Sequence, residues 1–192
     1  MIRGGPSRVL LDDMAGNEYA FVSHWRVEGT IEEVSEILND AENLPRWWPS
    51  VYLDARKRPD GIVDLFTKGW LPYTLRWSFR ITERHDPHGF SLEAFGDFVG
   101  RGMWTLVQDG AVADVTYDWR IRADKPLLRY LSLLFKPIFA ANHRWAMTRG
   151  EESLKLELRR RHAHTPAELA AIPAPPPATF MRQAPVRSSL AG

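Results

Sequence analysis

Residues 73–85, YTLRWSFRITERH, alternate between apolar and polar side chains more regularly than any other part of the chain. Successive side chains of a β-strand point to opposite faces, so a period of two indicates a strand with one buried face. The apolar side consists of Leu75, Trp77, Phe79 and Ile81. Such a strand needs partner strands and a layer that covers its apolar face, and this requirement constrains the fold.

Further segments of the chain also have the alternation or composition of strands. They are residues 17–29, 50–58, 61–69, 90–98, 101–109 and 111–123. Turn signatures separate three consecutive pairs of strands, at Pro59-Asp60-Gly61, at 86–89 (DPHG) and at Asp109-Gly110. In the last strand Tyr117 and Trp119 share the apolar side. The sequence therefore predicts a seven-stranded antiparallel sheet.

Two short helices are predicted between the first and second strands. Thr30 and Glu33 have the spacing of a capping box, which starts a helix that runs to about residue 40. Asp40 is placed to cap a second helix over 41–48, which Pro49 ends.

The pattern changes to helical spacing from Pro126. Apolar residues recur at steps of three and four, and the predicted buried stripe is Leu127, Leu131, Leu134, Ile138, Ala141, Trp145, Leu154 and Leu158. Pro137 lies inside this stretch and is expected to kink or break the helix.

The order of these elements predicts an α+β fold. A seven-stranded sheet with one apolar face needs a cover, and the last helix is the element large enough to provide it. The sheet is therefore expected to curve around that helix, leaving a hollow between them. The predicted domain covers residues 18–162. A loose N-terminal leader at 1–17 precedes it, and a Pro/Ala-rich disordered tail at 163–192 follows it.

Composition restricts the environment and the partners. The chain has no cysteine, which excludes disulfides and thiolate metal sites and suits the cytoplasm. The most apolar stretch, 126–141, is short and contains Arg129 and Lys136, so a soluble protein is predicted. The net charge is +1, and the basic residues cluster after residue 158 at the end of the helix, where they complement its dipole. No basic face interleaves with aromatic residues, so nucleic acid is not an expected partner.

The segments at 27–51 (VEGTIEEVSEILNDAENLPRWWPSV) and 96–106 (GDFVGRGMWTL), in this order of elements, resemble the polyketide cyclase/dehydrase-like branch of the START/Bet v 1-like (SRPBCC) superfamily. The resemblance covers residues 19–161 and implies a helix-grip fold, in which a curved antiparallel sheet wraps a long C-terminal helix. That family often has Ala-Pro where this chain has Gly29-Thr30. The motifs are specific for the fold and not for an activity, because the superfamily includes cyclases, lipid carriers and quinone-binding proteins.

The predicted hollow is lined by aromatic side chains. Trp48 is expected to be a buried wedge, with Trp47 nearer the rim of the cavity, and the alternative is that both tryptophans only fill the core. Trp25 faces inward by alternation. The predicted ligand-binding residues are Trp48, Trp70, Trp77, Phe79, Trp104, Trp119, Asn142 and Trp145. A lining of this kind suits a flat apolar molecule with a few polar contacts. The alternative is that these rings fill the interior and leave no cavity.

Tyr117 and His143 are the predicted catalytic residues. Tyr117 can donate to a carbonyl or enolate oxygen, and His143 has a suitable pKa for acid–base chemistry, although a lone helical histidine is also a common structural residue. The histidines and carboxylates of the chain do not have the spacing of a metal site, so neither a metal nor another cofactor is predicted.

Three functions are compatible with these residues. The first is binding of an apolar, aromatic or polyketide-like small molecule, with cyclase or dehydratase chemistry if the protein is an enzyme. The alternative is a lipid or quinone carrier that makes transient contact with a membrane through the apolar stretch at 127–139, aided by the basic end of the helix. The third is an interaction module with a filled core. The sequence does not determine the oligomeric state.

Overall fold

The computed structural model describes residues 18–123 and 126–179, with the side chains of the final long helix described from Pro137 onwards. The strands are β1 (Glu18–Glu28), β2 (Tyr52–Lys57), β3 (Val63–Lys68), β4 (Thr74–Arg84), β5 (Gly89–Gly96), β6 (Phe98–Asp109) and β7 (Val112–Ala123). The helices are α1 (Ile31–Asn39), α2 (Leu44–Trp47), α3 (Pro126–Arg161) and α4 (Pro166–Ala171), with a short 3₁₀ turn at Ala41–Asn43 before α2.

All seven strands form one antiparallel sheet in the order β1-β7-β6-β5-β4-β3-β2. Irregularities in register, between Tyr52 and Asp54 and between Ile81 and Glu83, interrupt the regular pairing in the half formed by β2 to β5. The apolar face of the sheet is covered by α3, while α1 and α2 lie between the first two strands in the chain. The predicted helix-grip architecture is confirmed.

The strand alternation and the first helix start were predicted correctly. On β1, Tyr19, Phe21 and Trp25 are buried, as the period of two required. The capping box of α1 forms in both directions between Thr30 and Glu33. The boundary between the fifth and sixth strands differs most, because Phe98, which was predicted to end the fifth strand, begins β6, and β6 then continues through two glycines. The other strand ends differ from the prediction by at most two residues.

The buried face of α3 agrees only in part with the predicted stripe. Leu154 and Leu158 are buried as predicted, whereas Ala140 and Met147 are buried in place of Ala141 and Trp145, which are only partly covered. The side chains of Leu127, Leu131 and Leu134 lie outside the described residues. The apolar spacing does not identify this face completely, because small and polar residues are also buried on it, namely Gly150, Ser153 and Glu157. Helix α3 also continues through Pro137, so the predicted interruption does not end it.

The segment after α3 contains a short helix, α4, within the part of the chain for which a Pro/Ala-rich disordered tail was predicted, and the predicted domain boundaries stay a prediction. Thr165 and Glu168 form a second capping box at the start of α4, where Pro166 occupies a position that tolerates proline. Further on, the Pro173 carbonyl accepts from Arg160. Helix α4 has no buried residue, so this segment lies on the surface of the domain. The predicted leader at 1–17 and the end of the tail at 180–192 lie outside the described residues.

An ion pair with a buried carboxylate and a half-exposed guanidinium joins α2 to α3. The Arg46 guanidinium donates to both carboxylate oxygens of Glu157, at 2.9 and 2.7 Å. The Glu157 side chain is only 4% exposed, whereas that of Arg46 is 54% exposed. Arg161 lies farther from the same carboxylate, at 3.8 Å. A carboxylate removed from water in this way depends on its partner.

We expect Arg46→Ala to lower the free energy of unfolding by about 2–4 kcal/mol, because it leaves the Glu157 carboxylate buried without its main partner. The matched control is Arg149→Ala, which breaks an exposed pair with Glu152 on the same helix and should cost about 0.5 kcal/mol or less. Urea unfolding of both variants tests this. Equal, small losses would show that the pair does not hold α2 in place.

Candidate ligand-binding cavity

A cavity of about 170 Å³ lies between the sheet and α3. Its walls come from the inward faces of β1, β3, β4, β6 and β7, from the segment after α2, and from one face of α3 between Phe139 and Met147. For comparison, a dry apolar cavity of about 150 Å³ holds one benzene molecule. The cavity is therefore of the size of a small ring compound.

Stacked aromatic rings form the floor of the cavity. Tyr117 stacks on Trp104 with a centroid distance of 4.0 Å and on Trp119 with a distance of 5.5 Å. Trp119 in turn contacts Trp77 at 5.8 Å and Phe98 at 5.7 Å. The period-two alternation of β4 and β7 places the rings of those two strands on this face, as the sequence predicted.

Two glycines of β6 make room for these rings. Gly102 pairs with Trp119, and a Cβ atom there would lie 2.7 Å from the Tyr117 hydroxyl and 2.9 Å from the Trp119 ring. A Cβ atom at Gly100 would lie 2.8 Å from the side chain of Ile121. Side chains at these inward positions would push the β7 rings away from the sheet. The sequence pattern alone did not predict this role of the glycines.

The adjacent tryptophans Trp47 and Trp48 are both buried, at 1% and 3% exposure. Trp48 lines the cavity as predicted, whereas the prediction that Trp47 lies near the rim is wrong. Helix α2 ends at Trp47, and Trp48 has non-helical backbone angles (φ −125°, ψ 53°), so the two neighbours both turn inward.

The Trp48 ring packs directly on α3. A Cβ atom at Gly150 would lie 2.3 Å from this ring, so glycine is required for the close approach. The ring also contacts Trp25 at 5.5 Å and Tyr52 at 5.1 Å. Trp48 therefore closes the cavity at the end where helix and sheet meet.

His143 is part of the cavity wall on α3. Its ring stacks on Phe21 at 4.2 Å, and its Nε2 atom lies 3.3 Å from the Ser23 hydroxyl on β1. Burial and, to a smaller extent, the adjacent Arg144 guanidinium lower the pKa of His143 to about 4. The imidazole is therefore neutral at neutral pH and can accept a proton. Ser23 was missed, although it lies on the inward side of β1 by alternation.

Tyr117 is the matching proton donor. Burial raises the pKa of Tyr117 well above its usual value, and Tyr52 and Asp118 raise it further. The hydroxyl is therefore protonated at neutral pH. Tyr117 and His143 both line the cavity, as predicted.

Asn142 also lines the cavity, but its carbonyl oxygen already has partners. It accepts from the backbone N–H groups of Trp70 at 2.9 Å and Leu71 at 3.4 Å. The side chain thereby fastens the loop between β3 and β4 to α3. Its expected role in ligand binding is indirect, through the position of this loop.

Three predicted ligand-binding residues do not line the cavity. Trp70 is 37% exposed, because it lies in the loop after β3 rather than in a strand. Phe79 is buried on the correct face of β4 but nearer the hairpin, where it borders a groove with Leu38 and Phe90. Trp145 is directed away because the face of α3 over the sheet runs through His143 and Met147.

Several lining residues were not predicted. Most belong to the same strand faces or to the neighbouring turn of α3, so alternation and helical spacing were the available signals. They include Tyr19, Phe21, Val51, Tyr52, Thr67, Lys68, Gly69, Tyr73, Leu75, Phe98, Ile121, Phe139, Ala146 and Met147.

Comparisons with solved structures support the fold. The Zhui aromatase/cyclase from Streptomyces sp. R1128 is similar with a TM-score of 0.61 and 15% identity, over 77% of this chain and 97% of that one. The di-domain ARO/CYC BexL from the BE-7585A biosynthetic pathway gives 0.54 and 11%, over 78% and 51%. A START superfamily protein from Mycobacterium smegmatis gives 0.52 and 14%, over 67% and 93%.

No protein-family model matches the sequence, and no curated protein is significantly similar to it. At these identities the solved structures show a common fold and do not show a common activity. Among the described residues, no helix has the length and apolar character needed to cross a membrane.

The pKa of His143 makes stability dependent on pH. The pKa is about 4 in the folded protein and about 6.5 in an unfolded chain, so between these values the unfolded chain binds more protons. The free energy of unfolding should therefore fall as the pH falls through this window, by about 2 kcal/mol from pH 7 to pH 5. Urea unfolding at both pH values should show a smaller loss for His143→Gln, which cannot titrate. Identical losses in the two proteins would contradict the assignment.

Proposed function

We propose that this protein binds a small apolar molecule with one or two aromatic rings in the cavity between the sheet and α3. The observation that carries this proposal is the cavity itself, whose floor consists of stacked rings with inward-facing polar groups at Tyr117 and His143. Flat apolar ligands can stack on such walls, while a small number of polar groups sets their orientation. Two of the proteins with similar structures are the Zhui aromatase/cyclase and the di-domain ARO/CYC BexL, which is consistent with an aromatic ligand.

The volume of the cavity favours this ligand over the alternatives. At about 170 Å³ it is smaller than the range of about 300–1,000 Å³ usual for drug-sized ligands. A two-chain lipid or a long-tailed quinone would require the walls to separate, whereas a small ring compound would not. An interaction module with a filled core is disfavoured because the core is not filled.

For a carrier, the sequence predicts that residues 127–139 contact a membrane. The side chains at 127–136 lie outside the described residues, so this contact stays a prediction.

Filling part of the cavity should weaken the binding of the ligand. Ala146 lies on the cavity wall of α3, and Ala146→Leu would place a larger side chain in the space needed by the ligand. We expect the affinity for para-ethylbenzamide, measured by calorimetry, to fall at least about 10-fold. Thr148→Leu adds similar bulk at an exposed position of the same helix and should leave the affinity unchanged. Equal affinities in the two variants would place the ligand elsewhere.

Cyclisation or dehydration of a bound carbonyl compound is the second candidate function. The observation in its favour is that a neutral imidazole and a protonated phenol line the same cavity, which provides an acceptor and a donor of protons. An intramolecular aldol reaction needs positioning and these two groups, without a further cofactor.

If the protein is an enzyme, Tyr117→Phe and His143→Ala should each lower turnover of a short diketone by about 100-fold or more. Binding of para-ethylbenzamide should be retained within a few-fold, because neither variant fills the cavity. Trp70→Phe, in the exposed loop, is the control and should retain turnover. Unchanged turnover in the first two variants would remove both residues from the chemistry.

A further inference from the structure

Ser23 is an exception among the inward-facing residues of β1. The other inward positions hold aromatic rings or a branched apolar side chain, namely Tyr19, Phe21, Trp25 and Val27. Ser23 is only 1% exposed, and a buried hydroxyl is costly unless it forms a hydrogen bond. A serine at this position therefore needs a specific hydrogen-bond partner.

The partner of Ser23 is His143 on α3. The Ser23 hydroxyl lies 3.3 Å from His143 Nε2, and among the residues that the structure describes His143 is the one partner of this hydroxyl. The His143 ring also stacks on Phe21, with a centroid distance of 4.2 Å and an interplanar angle of 17°. The stack sets the plane of the imidazole ring, and the contact with Ser23 sets the direction of its Nε2 atom.

The position of the imidazole proton decides which group donates in this contact. The lowered pKa of His143 keeps the ring neutral at neutral pH, so it carries one proton, either on Nδ1 or on Nε2. If Nε2 carried the proton, Nε2 would donate to Ser23, and the serine proton would be buried without an acceptor among the described residues. If Nδ1 carries the proton, the serine donates to the lone pair of Nε2.

We propose that Ser23 is a positioning residue that fixes the tautomer of His143: the serine hydroxyl donates to Nε2, and the imidazole carries its proton on Nδ1. A buried donor that lacks an acceptor costs more free energy than a typical hydrogen bond contributes. The tautomer that satisfies the Ser23 hydroxyl is therefore the stable one.

The tautomer determines what His143 can offer to a ligand in the cavity. His143 lines the cavity and Ser23 does not, so Nε2 is engaged away from the ligand and the polar atom left for the ligand is Nδ1, which donates. The protonated Tyr117 hydroxyl is a second donor on the same cavity. This inference rests on the proposed function and makes His143 a hydrogen-bond donor to an acceptor oxygen of the ligand. It opposes the second candidate function, in which His143 accepts a proton from the bound compound.

Nitrogen NMR of the full chain with labelled histidine tests the tautomer at neutral pH without a ligand. Protonated and unprotonated ring nitrogens resonate at separate positions, and the spectrum of His143→Gln identifies the signals of His143 among those of the six histidines. In the wild-type protein, Nδ1 should be protonated and Nε2 unprotonated. Ser23→Ala should lower the ratio of the Nδ1–H form to the Nε2–H form about 5-fold.

Ser50→Ala is the matched control for this measurement. It also removes a fully buried hydroxyl, but one that has no hydrogen-bond partner among the described residues. The ratio of the two forms of His143 should therefore be the same in Ser50→Ala as in the wild-type protein.

Two compounds of similar shape test the donor role of His143 in the wild-type protein. Para-ethylbenzamide has a carbonyl oxygen that accepts hydrogen bonds, whereas para-diethylbenzene has no acceptor. Addition of the benzamide should shift the Nδ1 resonance of His143 and leave Nε2 unprotonated, and the diethylbenzene should shift Nδ1 much less. Equal shifts with the two compounds, or transfer of the proton to Nε2 with the benzamide, would overturn the donor role.

Failure of the inference and failure of the proposed function give different results. A protonated Nε2 in the free wild-type protein, or a ratio that Ser23→Ala leaves unchanged, would overturn the inference and leave the proposed function intact. If calorimetry shows that the benzamide does not bind, the proposed function and the donor role fail, whereas the spectrum of the free protein still decides the tautomer. That spectrum needs only the wild-type protein, so it also decides the tautomer if Ser23→Ala does not fold.

Discussion

Helix α3 contacts the sheet closely at its C-terminal end, where Gly150 admits the Trp48 ring and where Leu154 and Leu158 are buried. The ion pair between Arg46 and Glu157 holds α2 against the same end. A straight helix cannot follow a curved sheet along its whole length. Close contact at one end therefore leaves a gap farther along, and the residues from Phe139 to Met147 lie over that gap instead of filling it.

Burial in the gap also sets the protonation states of the polar groups that line it. Removal from water keeps His143 neutral and Tyr117 protonated, because each charged form would lose its hydration. Phe21 and Ser23 hold the imidazole from β1, while Trp104 and Trp119 hold the phenol from the floor. Each polar group is thus supported by a neighbouring ring, which suits a site that must remain open without collapsing.

Strand alternation and the α1 capping box predicted most of the fold, because both depend on residues close together in the chain. The same alternation placed Trp77, Trp104, Tyr117 and Trp119 on the cavity floor. It could not separate Phe79 from them, because a buried face does not show where along a strand the helix leaves a gap. The orientation of α3 was misjudged at Trp145, since Gly150, Ser153 and Glu157 interrupt the apolar stripe on its buried face.

The sequence by itself determined the order of the elements, the inward faces of the strands and the aromatic character of the interior. These are local properties, set by side-chain periodicity and by turn and capping residues. Only the tertiary structure decided that the interior is hollow and that both Trp47 and Trp48 are buried. These features depend on contacts between residues far apart in the chain, whose geometry is set by how a curved sheet and a straight helix pack together.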